Sequence, residues 1–233
     1  MSAAAAGGAD RVAATNARPS GPGTTPQHAL EGLRRAIVAG ELRPGQRVLQ
    51  EEVADRLGIS IAPVREALRV LEQEGQVTYQ PRRGYFVTEL DIGDLREIYA
   101  LREVLEERAA RGALPTLDAD ALERIVQAAR ECADAADAGD VAAELAANRR
   151  FHFAMLESPD QVHAMRLIRL LWDSTEAYRA MYYNSPKERH RSLEAHDRIL
   201  DAVRRRDADR LVAELNAHRA RALEVLAGVL VDP

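Results

Sequence analysis

From His28 onward, apolar residues recur every three or four positions, the period of a helix with one buried face, and only one region switches to short β-prone runs. Leu30, Leu33, Ile37 and Val38 predict a helix over 28–39, ended by Gly40. After the Pro44-Gly45 turn pair, Val48-Leu49 reads as one short strand and Gln50 to Leu57 as a short amphipathic helix. Ser60 to Gly75 is the clearest element. Ser60 caps its start, Pro63 falls in the first turn, and Val64, Ala67, Leu68 and Leu71 make one apolar stripe. Arg65 and Arg69 lie one turn apart on another face, and Gly75 stops the helix. Val77–Gln80 and Tyr85–Val87 flank Pro81-Arg82-Arg83-Gly84, which predicts a hairpin with a basic tip. Two short helices joined through Gly58, the second bearing arginines and followed by a hairpin, form a winged helix-turn-helix pattern.

Beyond Asp91 the pattern is helix after helix, expected near 91–112, 118–137, 141–157, 159–183, 186–205 and 208–230. Ser158-Pro159-Asp160-Gln161 and Ser185-Pro186-Lys187-Glu188 read as capped starts. The fold class expected is mainly α: a winged helix-turn-helix over 27–88, then an antiparallel bundle of about six helices over 89–233 that binds ligand and dimerises. Met1 to Pro26 is Ala, Gly, Pro, Ser and Thr with little apolar periodicity, and reads as a disordered tail. Arg11 and Arg18 offer the alternative of a DNA-contacting arm.

Composition narrows the class. Aromatics make up only 4% of 233 residues, and no apolar stretch or leader pattern points to a membrane or to secretion. The single cysteine, Cys132, excludes an internal disulfide framework and fits a reducing cytoplasm, the expected location. The net charge of −5 looks unsuited to nucleic acid, but residues 27–90 hold nine arginines against nine acidic residues. The acidity therefore lies outside the winged region, which leaves room for a local basic face.

The run Gly40-Glu41-Leu42-Arg43-Pro44-Gly45-Gln46-Arg47-Val48, then Ala54-Asp55-Arg56-Leu57-Gly58-Ile59-Ser60, Pro63-Val64-Arg65-Glu66-Ala67-Leu68, Glu74-Gly75 and Arg83-Gly84-Tyr85-Phe86-Val87, resembles the GntR family of bacterial transcription regulators. The resemblance implies a homodimer on double-stranded operator DNA with the second helix in the major groove. Carried over by position, Ser60, Arg65 and Arg82 contact DNA, and Ile61 and Ala62 face base edges. Arg69, one turn from Arg65, and Arg83, which with Arg82 sits in the wing and reaches phosphate or the minor groove or else forms a solvated turn, complete the expected DNA contacts. Many members have Arg where this chain has Ile61, and some have Arg at the place of Glu51, so the operator is not inherited from relatives.

Histidine placement supplies the second candidate chemistry. His196 and His218 lie equally far on either side of Asp207, a helix break and N-cap, so a helical hairpin sets both imidazoles about 16 Å from the turn. His152 follows Asn148 by one helical turn. Three imidazoles and an oxygen suit a divalent transition metal in a bundle core, and ordinary semi-buried histidines are the plainer alternative. Phe151-His152, Glu194-Ala195-His196-Asp197-Arg198-Ile199-Leu200-Asp201-Ala202, His218 and Arg102-Glu103-Val104-Leu105-Glu106 resemble the FCD effector domain of the FadR subgroup. That resemblance implies a metal, zinc first with nickel or manganese as alternatives, held by Asn148, His152, His196 and His218. Asn148 stands where the family has Asp.

A small carboxylate effector then binds beside the metal, with Arg102 as its clamp or, in the alternative, paired with Glu106. Tyr178, Arg179 and Tyr182 line a pocket or form core, Trp172 reads as packing, and His28, His163 and His190 as structural or exposed. The function expected is a non-enzymatic, ligand-responsive transcriptional regulator, a repressor in sign. The alternative is a metal-dependent enzyme using the three histidines, with Glu194 or Asp197 as its acid or base.

Overall fold

The computed structural model describes residues 25–231. The tail expected over 1–26, with Arg11 and Arg18, lies outside the described residues as far as position 24, while Thr25 and Pro26 already belong to the first helix. Helix α1 (Thr25–Val38) is followed by strand β1 (Arg47–Val48), helices α2 (Gln50–Leu57) and α3 (Ile61–Gln73), and strands β2 (Val77–Gln80) and β3 (Gly84–Val87). The sheet order is β1-β3-β2, all antiparallel, with Arg47 opposite Phe86 and Tyr79 opposite Tyr85.

The α3 stripe is the centre of this unit's core. Val64, Leu68 and Leu71 are fully buried against Leu33 of α1, Val53 of α2 and Val77 and Val87 of the hairpin. Each large aliphatic side chain so buried contributes about 1.5–3 kcal/mol. Gly58 takes a left-handed conformation (φ 66°) that closes α2, and Gly75 (φ 74°) does the same just after α3. Ser60 occupies the N-cap position of α3 in extended conformation, but its side chain makes no capping hydrogen bond, contrary to expectation.

The rest of the described chain is helical: α4 (Ile92–Ala113), α5 (Ala119–Ala138), α6 (Val141–Leu156), α7 (Val162–Ser174), α8 (Glu176–Tyr183), α9 (Pro186–Arg204) and α10 (Ala208–Val231). Seven helices therefore replace the six expected. The single helix predicted over 159–183 begins with a 3-10 turn (Pro159–Gln161) and is interrupted at Thr175. The buried Thr175 hydroxyl donates back to the carbonyls of Leu171 and Trp172 (both 3.2 Å), the local competition that deflects a helix. Nor do Ser158 and Ser185 cap with their side chains. Aspartates do so instead: Asp91 in a reciprocal box with Asp94, then Asp118, Asp140 and Asp207, each accepting from the amide three residues on.

The winged unit rests on the start of α8. Ala177 packs against the winged core, Val38 packs into the cluster around Leu95, Tyr99 and Tyr178, and Ser174 faces Gly75.

Candidate functional site

The outward face of the winged unit carries the residues expected to meet DNA. Ser60, Ala62, Arg65 and Arg69 are exposed around the first turns of α3. Ile61 is only half exposed and packs on the winged core, so less of it is available to a base edge than expected. Arg65 is held in place, its Nε donating to Gln50 Oε1 of α2 (3.0 Å). At the hairpin tip, Arg83 N–H donates to the carbonyl of Gln80 (3.0 Å), with Pro81 and Arg82 between them. Arg82 has φ 63°, which with Pro81 before it gives a type II turn, where glycine is the usual occupant. Arg83 lies over the Phe86 ring, 5.0 Å from its centroid, and both tip arginines are exposed.

Inside the bundle, His152 of α6, His196 of α9 and His218 of α10 converge. One nitrogen from each can be chosen so that all three lie within 4.8 Å of one another. The ring centroids are 5.2 to 5.4 Å apart in all three pairs, and His152 and His218 are stacked at 17°. Asp207 does mark the turn between α9 and α10. Neither nitrogen of His152 or of His196 has a hydrogen-bond partner, and neither has the Asn148 side-chain oxygen, although all are buried. Leaving so many buried polar atoms unpaired is costly. The donor set, three imidazoles and an amide oxygen, suits a divalent transition metal.

Electrostatics favour the same reading. Burial, then the neighbouring imidazoles and Arg179 and Arg102, hold His152 well below the usual histidine range. Burial, His218 and Arg179 do the same for His196. His218 is lowered to about 4 by burial and by Arg102, Arg179 and Arg219. All three rings are therefore neutral at neutral pH, with a lone pair free to ligate.

Beside the histidines lies a cavity of about 30 Å³ bounded by Tyr99, Arg102, Glu106, Trp172, Arg179 and Arg219, with Asn148, His152 and His218 at its edge. Arg102 is engaged through one nitrogen: its Nε donates to Glu106 Oε1 (2.8 Å), the alternative pairing considered above, while neither of its terminal nitrogens is hydrogen-bonded among the described residues. Trp172 Nε1 donates to the same oxygen (2.8 Å), and Arg219 Nη1 to the other. Burial works to raise the Glu106 carboxyl, but the two guanidiniums outweigh it and hold it ionised. Trp172, read as packing, therefore also lines the cavity and orients its one carboxylate. Arg219, which directly follows His218, carries no pattern in the sequence that marks it as a cavity residue. Arg179 proves to be a cavity residue: its guanidinium sits 4.0 Å from the Trp172 ring centroid, and neither terminal nitrogen has a hydrogen-bond partner. Glu194 and Asp197 are exposed and do not reach the cavity.

Comparisons with known proteins agree with this two-part layout. The model of the family described as bacterial regulatory proteins, gntR family, matches residues 25–87, and that of the FCD domain matches residues 97–221. The HTH-type transcriptional regulator YdhC of Bacillus subtilis (strain 168) is 27% identical over 201 residues, covering 86% of this chain and 90% of the relative. The HTH-type transcriptional regulator McbR of Escherichia coli (strain K12) is 27% identical over 179 residues, covering 76% and 81%. The solved structure of E. coli McbR/YncC superposes with a TM-score of 0.77 at 24% identity, covering 88% of this chain and 98% of that one, which establishes a common fold. The two family matches follow the order of winged unit and helical bundle, and the FCD match alone spans more than half of the chain. This protein therefore belongs to the gntR family of bacterial regulatory proteins and is a transcriptional regulator with an FCD domain.

Proposed function

We propose that the protein is a dimeric repressor whose grip on operator DNA is set by a small carboxylate bound beside a metal in the FCD bundle. Residues 27–88 are the DNA-binding unit and 89–233 the ligand-binding and dimerising unit. Ser60, Ala62, Arg65 and Arg69 face the major groove, with Ile61 at its edge, while Arg82 and Arg83 reach phosphates or the minor groove. Asn148, His152, His196 and His218 hold the ion, zinc by preference. The observation that carries this reading is the convergence of three neutral imidazoles whose buried nitrogens, on His152 and His196, bond to nothing else in the protein. A divalent ion held there would act as a Lewis acid toward a carboxylate oxygen, taking it either in place of the weak Asn148 oxygen or as a fifth donor. Arg102 contacts the effector with its terminal nitrogens while its Nε fixes Glu106, and it adds to the positive potential of the cavity.

Dimerisation is supported by exposed apolar side chains on two helices that pack side by side. These are Leu101 and Val104 (69% exposed) on α4, and Val162 (66%), Leu167 and Leu170 on α7. A dimer turns a ligand-driven shift of the winged units into a change of half-site spacing, to which operator affinity is geometrically sensitive. The metalloenzyme alternative has no support in the cavity, where the lone carboxylate is ionised and bonded to two guanidiniums.

The test is capture of fragmented genomic DNA by the purified protein, with and without chelation. A few sites sharing a two-fold symmetric motif, with occupancy altered by chelation, are the expected result. Uniform recovery of DNA, or none, overturns the specific-regulator reading, and a reporter downstream of a recovered site gives the sign.

A further inference from the structure

Three arginines border the cavity, but only two have partners there. Arg102 and Arg219 both bond to Glu106. Arg179 is as deeply buried, with 5% of its surface exposed, and neither Nη is hydrogen-bonded. Its nearest carboxylate, Glu176, stands off at 3.9 Å and is shared with Arg149 at 3.8 Å. A guanidinium remains charged even when burial lowers its pKa, so this is a cation with unmet hydrogen-bonding capacity. It lines the same cavity as Asn148, His152 and His218, which places it beside the candidate metal centre. Arg102 and Arg179 both lie over the Trp172 ring, at 4.4 and 4.0 Å, and that ring is 5.3 Å from His152.

The charges do not balance. Glu106 offsets one of Arg102 and Arg219, leaving one positive charge, and Arg179 is offset only by Glu176 at 3.9 Å, without a hydrogen bond. A divalent ion held by Asn148 and three neutral imidazoles keeps both of its charges, because none of those donors is anionic. A single carboxylate leaves most of this uncompensated, whereas a second carboxylate gives Arg179 a partner of its own.

We infer that Arg179 is the second anchor of the ligand and selects a small dicarboxylate over a monocarboxylate. One carboxylate takes the metal side of the cavity and the other forms charge-assisted hydrogen bonds with Arg179. This rests on the metal-and-carboxylate reading above and adds the ligand class. The cavity, about 30 Å³, has room for about two waters. A dicarboxylate therefore enters only if the cavity wall, to which Arg179 of α8 belongs, widens. Helix α8 also bears Ala177, which packs on the winged core, and Tyr178, which bonds to Leu90 just after the wing, so a displacement of α8 is transmitted to the base of the winged unit.

The experiment titrates acetate, malonate and succinate into the full-length, zinc-loaded protein by calorimetry, with bound metal measured before and after to detect stripping by the ligand. The wild type is expected to bind malonate or succinate at least about tenfold more tightly than acetate. Arg179→Gln is expected to weaken the dicarboxylate by about 10–100-fold, the weight of one or two charge-assisted hydrogen bonds. Metal content should stay within about twofold, and acetate should weaken several-fold less than the dicarboxylates. Arg179→Lys, which keeps the charge but not the fork, should recover part of the loss and covers the case in which the Gln variant fails to fold. If acetate binds as well as the dicarboxylates, or if Arg179 variants weaken all three ligands equally, the assignment of Arg179 is overturned while carboxylate binding at the metal stands. If none of the three binds the zinc-loaded protein, the underlying effector reading falls with it.

Discussion

The Tyr178 hydroxyl closes a two-way bond with the backbone of Leu90, accepting from its N–H (2.7 Å) and donating to its carbonyl (3.3 Å). Leu90 lies between the wing and α4, and Tyr178 is the residue before Arg179 on α8. A single side chain thus joins the helix that borders the cavity to the chain leaving the DNA-binding unit. Tyr178→Phe removes both bonds and leaves a partly buried amide unpaired, a loss of about 1–3 kcal/mol. The fold and the unliganded operator affinity should survive, while the change in operator affinity on adding ligand shrinks. Urea unfolding and gel shifts with and without dicarboxylate check the two halves; an undiminished ligand response would exclude this contact as the route.

The wing tip carries its own strain. A non-glycine residue in the left-handed region, as at Arg82, costs on the order of 1 kcal/mol, and Gly accepts that conformation freely. Arg82→Gly is expected to stabilise the protein by up to about 1 kcal/mol while weakening operator binding and lowering the slope of log K against log salt by about one. Arg82→Ala should lose the same DNA contact with no gain in stability. Paired melting curves and salt titrations decide it, and a stabilised Gly variant with unaltered DNA binding would remove Arg82 from the interface.

Metal removal should register as stability. A ligand that binds only the folded state at 100 times its dissociation constant adds about 2.7 kcal/mol. Chelation of the wild type should lower its unfolding free energy by about that amount, with zinc restoring it. His152→Ala should show neither effect, because it removes one of the three imidazoles of the proposed metal site. Metal content by elemental analysis, compared with urea midpoints, tests this; an unchanged metal content in His152→Ala would place the ion elsewhere.

Glu144 predicts a pH dependence independent of the DNA. It is buried on α6 with neither carboxylate oxygen bonded, and burial raises its pKa to about 7 despite the opposing charge of Arg189. The thiol of Cys132, pushed up to about 12 by burial and by Glu144, is also nearby. The folded state holds this proton more tightly than the unfolded chain does. The stability the proton contributes is therefore complete below the unfolded value near 4.5, declines as pH rises, and is gone above about 7. Glu144→Gln removes that dependence, so its advantage over the wild type should grow by up to about 3 kcal/mol between pH 5 and 8. Urea midpoints across that range measure it, and a constant difference would contradict the assignment.

Periodicity, glycine stops and the distance of two histidines from one turn residue are short-range properties, and they determined most of the architecture. Leu68 and Leu71 had to face inward, Gly58 had to end a helix, and the hairpin at Asp207 brought His196 and His218 level, because each depends on residues within one element or one turn. Only the tertiary structure decided what the polar groups of the cavity do. Arg102 has a partner four residues away, but its full arrangement depends on Trp172 and on Arg219, which lies 113 residues from Glu106. The break at Thr175 likewise follows from a buried hydroxyl that turns back on its own helix, where the sequence reads as continuous. Arg179 was indistinguishable from a core or surface arginine until the carboxylates around it were placed, because an unmet hydrogen bond shows only once every possible partner has a position.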